Sequence, residues 1–466
     1  MKNLTKLALC ASAAAFVSLA APLAAQEREA PPAPSEARPF TLPEVTRYEL
    51  PNGLHVTLVP YGKTPQVSIL ASVRTGNIDD GENVWLSDMT GGLMQKGAGG
   101  RTASEIAEAA ASMGGSLSLG VGLDSATAST GVLGEYAPDA VALLADLLIK
   151  PDFPAEELDK VRADLLRNLS VSKSQPGSIA GEAFSSALYP DHPYGHSYPT
   201  VEQLQGYSLE QVKAFHAANF GAQRTHLYVV GRYDEAAVRQ AIADNFGGWA
   251  KGPAPTQMPS VVADPATVVL IDRPGAPQST LRIGQRVDTA ARDVEFSAMN
   301  TLLGGYFSSR ITRNIREDKG YTYSPGSGIA ERIQGKHWVQ NADVTAEATG
   351  ASINEILKEI KLMQTENPSA SEVQGIKNYM NGIFVIGLAS RSGVAGQLAG
   401  LDQIGLGPQF LNTYVTKVSA LTAEDFSRAA SNHIPLEEMT YVVVGPLDSV
   451  RSQLEAVPEL AGRLPE

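Results

Sequence analysis

Seven histidines, His55, His192, His196, His216, His226, His337 and His433, are the first residues to question for chemistry. Only His192 and His196, in "HPYGH", stand at a metal-like spacing. The Pro and Gly between them argue against the helical turn that would bring both rings to one ion. The only cysteine, Cys10, lies in an amino-terminal apolar run, so thiolate catalysis and Cys-held zinc are not expected of a processed chain. "GAGG" (97–100) and "LLGGYFSSR" (302–310) lack the spacing of a phosphate loop, and no Gly-x-Ser-x-Gly elbow stands between a strand and a helix. One segment remains, "SDMTGGLMQKGAGG" (87–100). Its apolar pattern suits a buried helix, yet Gly91 and Gly92 sit in the middle, each costing about 1 kcal/mol relative to alanine.

The elements around that segment follow from the rest of the chain. Lys2 and Lys6, the apolar run Leu7 to Ala20 and the small residues up to Ala25 have the layout of a secretory signal peptide over 1–25. No later stretch holds 18 uninterrupted apolar residues, so no membrane span is expected. Residues 26–44, rich in Pro, Ala and charge, read as a flexible lead-in. About 425 residues remain, more than one core usually holds. With 37 basic against 50 acidic residues, a nucleic-acid partner is not expected.

Those residues contain a duplication. "SLEQVKAFHAANF" from Ser208 leads to Val229-Val230-Gly231, and "TAEDFSRAASNHI" from Thr422 leads to Val443-Val444-Gly445. Both pairs are separated by the same 214 residues (208 to 422, 229 to 443). Each copy opens on a hydroxyl residue able to cap a helix and closes on a β-branched strand that stops at glycine. Helical stretches from Pro154 and Pro368 are a further matched pair. "AKGPAPTQMPS", starting at Ala250, has the composition of a linker. The expected fold is α+β: two homologous domains, 45–249 and 262–460, joined by a linker over 250–261. Each would be a mainly antiparallel sheet covered by helices, and together they would form a clamshell.

The order and spacing of "ELPNGLHVTLVP", "SVRTGNIDDGEN", "MQKGAGGRTASEIAE", "MGGSLSLGVGLDSATAST", "HPYGHSYPTVEQLQGYSLEQVKAFHAANF" and "LLGGYFSSRITRNIREDKGYTYSPGSG" resemble the pitrilysin/insulinase family of zinc peptidases, in its mitochondrial-processing-peptidase-like branch. The resemblance runs from about residue 45 to about 455. Active members place His-x-x-Glu-His before a Lys-Gly pair, two His holding zinc and the Glu activating its water. Registered on Lys96-Gly97, the His positions here are Asp88 and Gly92, and the Glu position is Gly91. The equivalents of the third ligand fall near Val161 and Asn168. The resemblance thus implies a degenerate zinc helix, with Asp88 alone able to offer an oxygen. It also implies that Arg316 and Tyr323, in "REDKGYTYS", match the Arg and Tyr that hold substrate and stabilise the scissile carbonyl. Gly114 to Thr130 matches an edge strand on which peptides add as a further strand.

The function so implied is that of the non-catalytic subunit of a heterodimeric, periplasmic zinc metallopeptidase. No cofactor is expected in this chain, and zinc is expected in a homologous partner that carries the intact motif. Alternatives are a peptide-binding or assembly protein of the same fold without proteolysis and, last, an autonomous zinc endopeptidase built on Asp88.

Overall fold

The computed structural model describes residues 38–258 and 267–465. In the first half β1 (Thr46–Glu49), β2 (His55–Pro60) and β3 (Gln66–Val73) precede a two-residue pair, β4 (Gly97–Ala98) and β5 (Arg101–Thr102), and then β6 (Leu117–Val121), β7 (Ala126–Leu133) and β8 (Thr225–Gly231). All but β4 and β5 join one sheet in the order β1-β2-β8-β3-β7-β6. In the second half β9 (Val268–Asp272), β10 (Gln278–Arg286), β11 (Gly326–Arg332), β12 (Gly335–Thr345) and β13 (Thr440–Gly445) give the order β11-β12-β10-β13-β9. Counted from β6, the first sheet reads β6-β7-β3-β8-β2, strand for strand the same arrangement. Pairing is antiparallel except for β2 with β8 and β9 with β13.

The helices that matter here are α1 (Leu86–Met94), α2 (Ala137–Ile149), α3 (Leu158–Ser174), α4 (Pro176–Leu188) and α5 (Leu209–Asn219), then α6 (Thr349–Thr365), α7 (Ala370–Gly387), α8 (Arg391–Gln403) and α9 (Ala423–His433). No single helix among the described residues is long and apolar enough to cross a membrane. The hydroxyl residues opening the repeat are helix caps. Ser208 Oγ accepts from Gln211 N–H, and the Gln211 side chain accepts from Ser208 N–H at 2.9 Å. Thr422 instead donates its N–H and hydroxyl to the Asp425 carboxylate.

The continuous apolar run Tyr441 to Val444 has no alternation because both faces of β13 are covered. One face meets helices of its own half, such as α6 and α9, in a core with Ile353, Ile356 and Phe426. The other meets α4 of the first half, whose Ala180, Phe184 and Leu188 pack on Val339, Val442 and Val444. Reciprocally, Val394 and Leu398 of α8 pack on Val59, Tyr228 and Val230 of the first sheet. The halves are therefore fastened by exchanged helices. The two strand-ending glycines serve close approach: a Cβ on Gly231 would stand 2.3 Å from Gln66 O, and one on Gly445 2.5 Å from Ser279 Oγ.

Several expectations need correction. The signal peptide and most of the lead-in lie outside the described residues, but 38–44 are not loose. Leu42 is buried and its N–H donates to Asn412 Oδ1 at 2.7 Å, while Phe40 packs edge-on against Phe384. The linker is described to residue 258, where it is strapped down rather than free. Arg224, buried in an ion pair with Asp79 (3.0 Å), donates to Pro253 O and Ala254 O. The segment 114–130 is a hairpin rather than one strand, and only β6 is the edge. "HPYGH" does make one short 3₁₀ turn, Pro193–Gly195. His192 is buried there, with Nδ1 accepting from Tyr194 N–H and Nε2 donating to Met258 O at 2.8 Å, so both nitrogens are engaged by backbone.

Candidate functional site

The helix α1 begins at an unusual corner. Trp85 precedes it with φ of 68°, a left-handed conformation that costs a bulky residue energy. Asp80 holds the corner: its carboxyl oxygens accept from Trp85 N–H at 2.9 Å and Ser87 N–H at 2.8 Å, filling donors that the start of the helix leaves open. Asn77 Nδ2 then joins Asp80 (3.1 Å), Ser87 Oγ (2.9 Å) and Asp88 Oδ2 (2.7 Å). Burial pushes the Asp80 carboxyl up to about 7, with nearby Asp88 adding to the rise, and burial pushes Asp88 up to about 6. Asp88 is therefore bonded to Asn77 beside a second buried carboxyl, not a free oxygen donor.

One turn on, the space that side chains would need is filled. A Cβ on Gly91 would stand 2.5 Å from Val121 Cγ2 of β6, and one on Gly92 2.7 Å from Val161 Cγ1 of α3. Val161 is itself buried, and Asn168, two turns further along the same helix, is exposed. Gln95 ties α1 to the edge strand, donating to Gly91 O at 3.2 Å and accepting from Leu119 N–H at 3.4 Å. The family resemblance implies a zinc ion here, and these residues do not fit one. Two glycines and two valines offer no ligand, the valines occupy the room, and Asp88 is engaged by Asn77. Among the described residues no group of three His, Cys, Asp or Glu side chains could hold a metal ion.

The second half presents the opposite situation. Arg316 lies in a wide turn, Arg313–Asp318, closed by bonds of the i→i+5 kind such as Lys319 N–H to Asn314 O. Asn314 bolts this turn to α6, donating to Glu355 at 2.9 Å and Glu359 at 2.8 Å. The following strand-like residues are pinned to β12 through Thr345 N–H to Tyr321 O and Thr322 Oγ1 to Asp343 O. Tyr323 is left projecting, 80% exposed, outside any strand. The Arg316 guanidinium lies 5.3 Å from the Tyr323 ring centroid and 4.2 Å from that of Phe307, which is 68% exposed. The structure thus brings Arg316 and Tyr323 together and adds Phe307. Sequence reading passed over Phe307, Asn77 and Asp80, although all three lie in the segments that carried the resemblance.

The sequence model described as Insulinase (Peptidase family M16) matches residues 56–199, and that described as Peptidase M16 inactive domain matches 206–380. The chain belongs to the insulinase, or M16, peptidase family. A curated relative, an uncharacterized zinc protease of Mycobacterium tuberculosis, is 24% identical over 444 residues, covering 92% of this chain and all of its own. The crystal structure of a peptidase M16 inactive domain from Pseudomonas fluorescens has a TM-score of 0.80 at 24% identity, covering 86% of this chain and 98% of that one. The periplasmic protease PqqL of Escherichia coli has a TM-score of 0.76 at 15% identity, covering 90% of this chain and 47% of its own. At these identities the structural likeness shows the shared M16 fold.

Proposed function

We propose that this M16 chain is the zinc-less subunit of a two-chain metallopeptidase. It would present Arg316 and Tyr323 to a peptide bound at the zinc of a homologous partner. The observation that carries the reading is the contrast between its two sites: α1 has Val121 and Val161 packed where ligand side chains would stand, while Arg316 and Tyr323 are held by a braced turn with the phenol open to solvent. A guanidinium and a phenol so placed hold the main chain of a peptide and stabilise charge on its carbonyl oxygen. Neither activates water, so hydrolysis is assigned to the partner. The edge strand β6 offers unpaired backbone groups on which an extended peptide adds. The signal-peptide layout and the likeness in fold to a periplasmic protease support a periplasmic location.

The test is to mix the purified chain with a homologue carrying intact His-x-x-Glu-His and follow peptide cleavage. This chain is expected to raise the partner's rate, and Arg316→Ala or Tyr323→Phe to remove the gain. A gain that survives both substitutions contradicts the assignment.

A further inference from the structure

A cavity of about 890 Å³ lies away from α1. One wall is the start of α4, from Gly177 to Glu182, and the other is β10 and β12 of the second sheet. Three arginines line it: Arg273, Arg282 and Arg332. None has a carboxylate within 4.0 Å among the described residues. Arg273 Nη1, Arg282 Nε and Arg332 Nε also lack hydrogen-bond partners. Arg224, by contrast, is buried in an ion pair with Asp79, and the half-buried Arg310 is paired with Glu372.

No acid of the lining is in direct contact with these arginines. Arg282 is positioned by neutral oxygens, donating to Asn341 Oδ1 at 2.6 Å and Gly177 O at 3.0 Å. Glu182 is held by Lys173 at 2.6 Å. Asp343, the remaining acid of the lining, accepts from the Thr280 hydroxyl and offsets part of the Arg282 charge from beyond ion-pair distance. His337 at the cavity is pushed down to about 3 by burial, then by Arg332, Arg282 and Arg286, which reports the cationic field at this place. The field is local, because the chain as a whole carries a formal charge of −13.

Three half-buried guanidinium groups that share one cavity, with no carboxylate in direct contact among the described residues, make it favourable to seat an anion among them. Guanidinium forks match the planar carboxylate in geometry as well as charge. The volume exceeds what one small ion fills and suits a short peptide. Gln175, Ser178 and Gln278 add neutral partners for its main chain. We propose that this cavity binds acidic peptides, with Arg273, Arg282 and Arg332 taking their carboxylates.

Calorimetric titration of the full chain with acetyl-tetraglutamate amide, its tetraglutamine counterpart and inorganic phosphate tests this. The tetraglutamate is expected to bind, more weakly as salt is raised, and the tetraglutamine not to. Arg273→Gln and Arg332→Gln, chosen because Arg282 also braces α4, are each expected to weaken binding about tenfold, with unchanged circular dichroism and melting temperature. Absence of binding at millimolar peptide overturns the proposal. So does equal binding of the two peptides, equal affinity in the folded variants, or phosphate binding as tightly as the peptide, which makes this a small-anion site. The titration uses the chain alone and does not involve Arg316 or a zinc-bearing partner, so its failure and that of the two-chain reading are separable.

Discussion

Alanine favours a helix over glycine by about 1 kcal/mol, yet Gly91→Ala and Gly92→Ala are expected to destabilise this protein. The new Cβ would meet Val121 or Val161 below 3 Å, and β-branched side chains have little room to turn aside. Overpacking of this kind costs about 1–3 kcal/mol. In urea unfolding, Val161→Ala added to Gly92→Ala should recover more stability than it does in a background with glycine; simple additivity contradicts the packing account. The sequence made the cost of the glycines legible, but not what met them, because Val121 and Val161 are remote in the chain. The burial of Asp80 and Asp88 was likewise opaque, since nothing in "NIDDGEN" or "SDMTGG" tells which carboxyls are buried. Both bind a proton more tightly folded, at about 7 and about 6, than unfolded, at about 4. Their contribution to stability is therefore full below about pH 4 and is lost as pH rises through those folded values. Asp80→Asn, which carries no charge, should gain on the wild type between about pH 5 and pH 8, where urea midpoints measure the difference. A difference that does not change with pH contradicts the shift.

The elements were largely legible. The repeated interval placed α5 against α9 and β8 against β13, and the hydroxyl residues at 208 and 422 marked their helix starts. Exchange of α4 and α8 was not legible. An apolar run such as "YVVV" implies that both faces are covered, and only the tertiary structure says by which half. Where α8 crosses the first sheet, Asp402 is the fastening point. It accepts from Arg47 through both carboxylate oxygens (3.0 and 3.1 Å) and from the Tyr228 hydroxyl at 2.7 Å. Asp402→Ala leaves that buried hydroxyl without its acceptor, at a cost of about 1–3 kcal/mol. Hydrogen exchange should quicken through Arg391–Gln403 and much less through α2. Uniform quickening, or none, contradicts the role given to Asp402.

At the scale of the whole molecule, a duplicated M16 fold carries valines packed against Gly91 and Gly92 of α1. Family membership was legible in the order of many short motifs, none decisive alone. At α1 the missing ligands were legible as glycines, and the pairing of Arg316 with Tyr323 was legible only through the family resemblance. Arg316 and Tyr323 stand at a surface, so Tyr323→Phe should leave the melting temperature unchanged while altering activity with a partner. The most direct test of the central claim is zinc content and peptidase activity of the purified chain, alone and with a zinc-motif homologue. A chain that is metal-free and inactive alone, yet raises the homologue's activity through Arg316 and Tyr323, is the expected result. Stoichiometric zinc in this chain with unaided cleavage of peptides would contradict it.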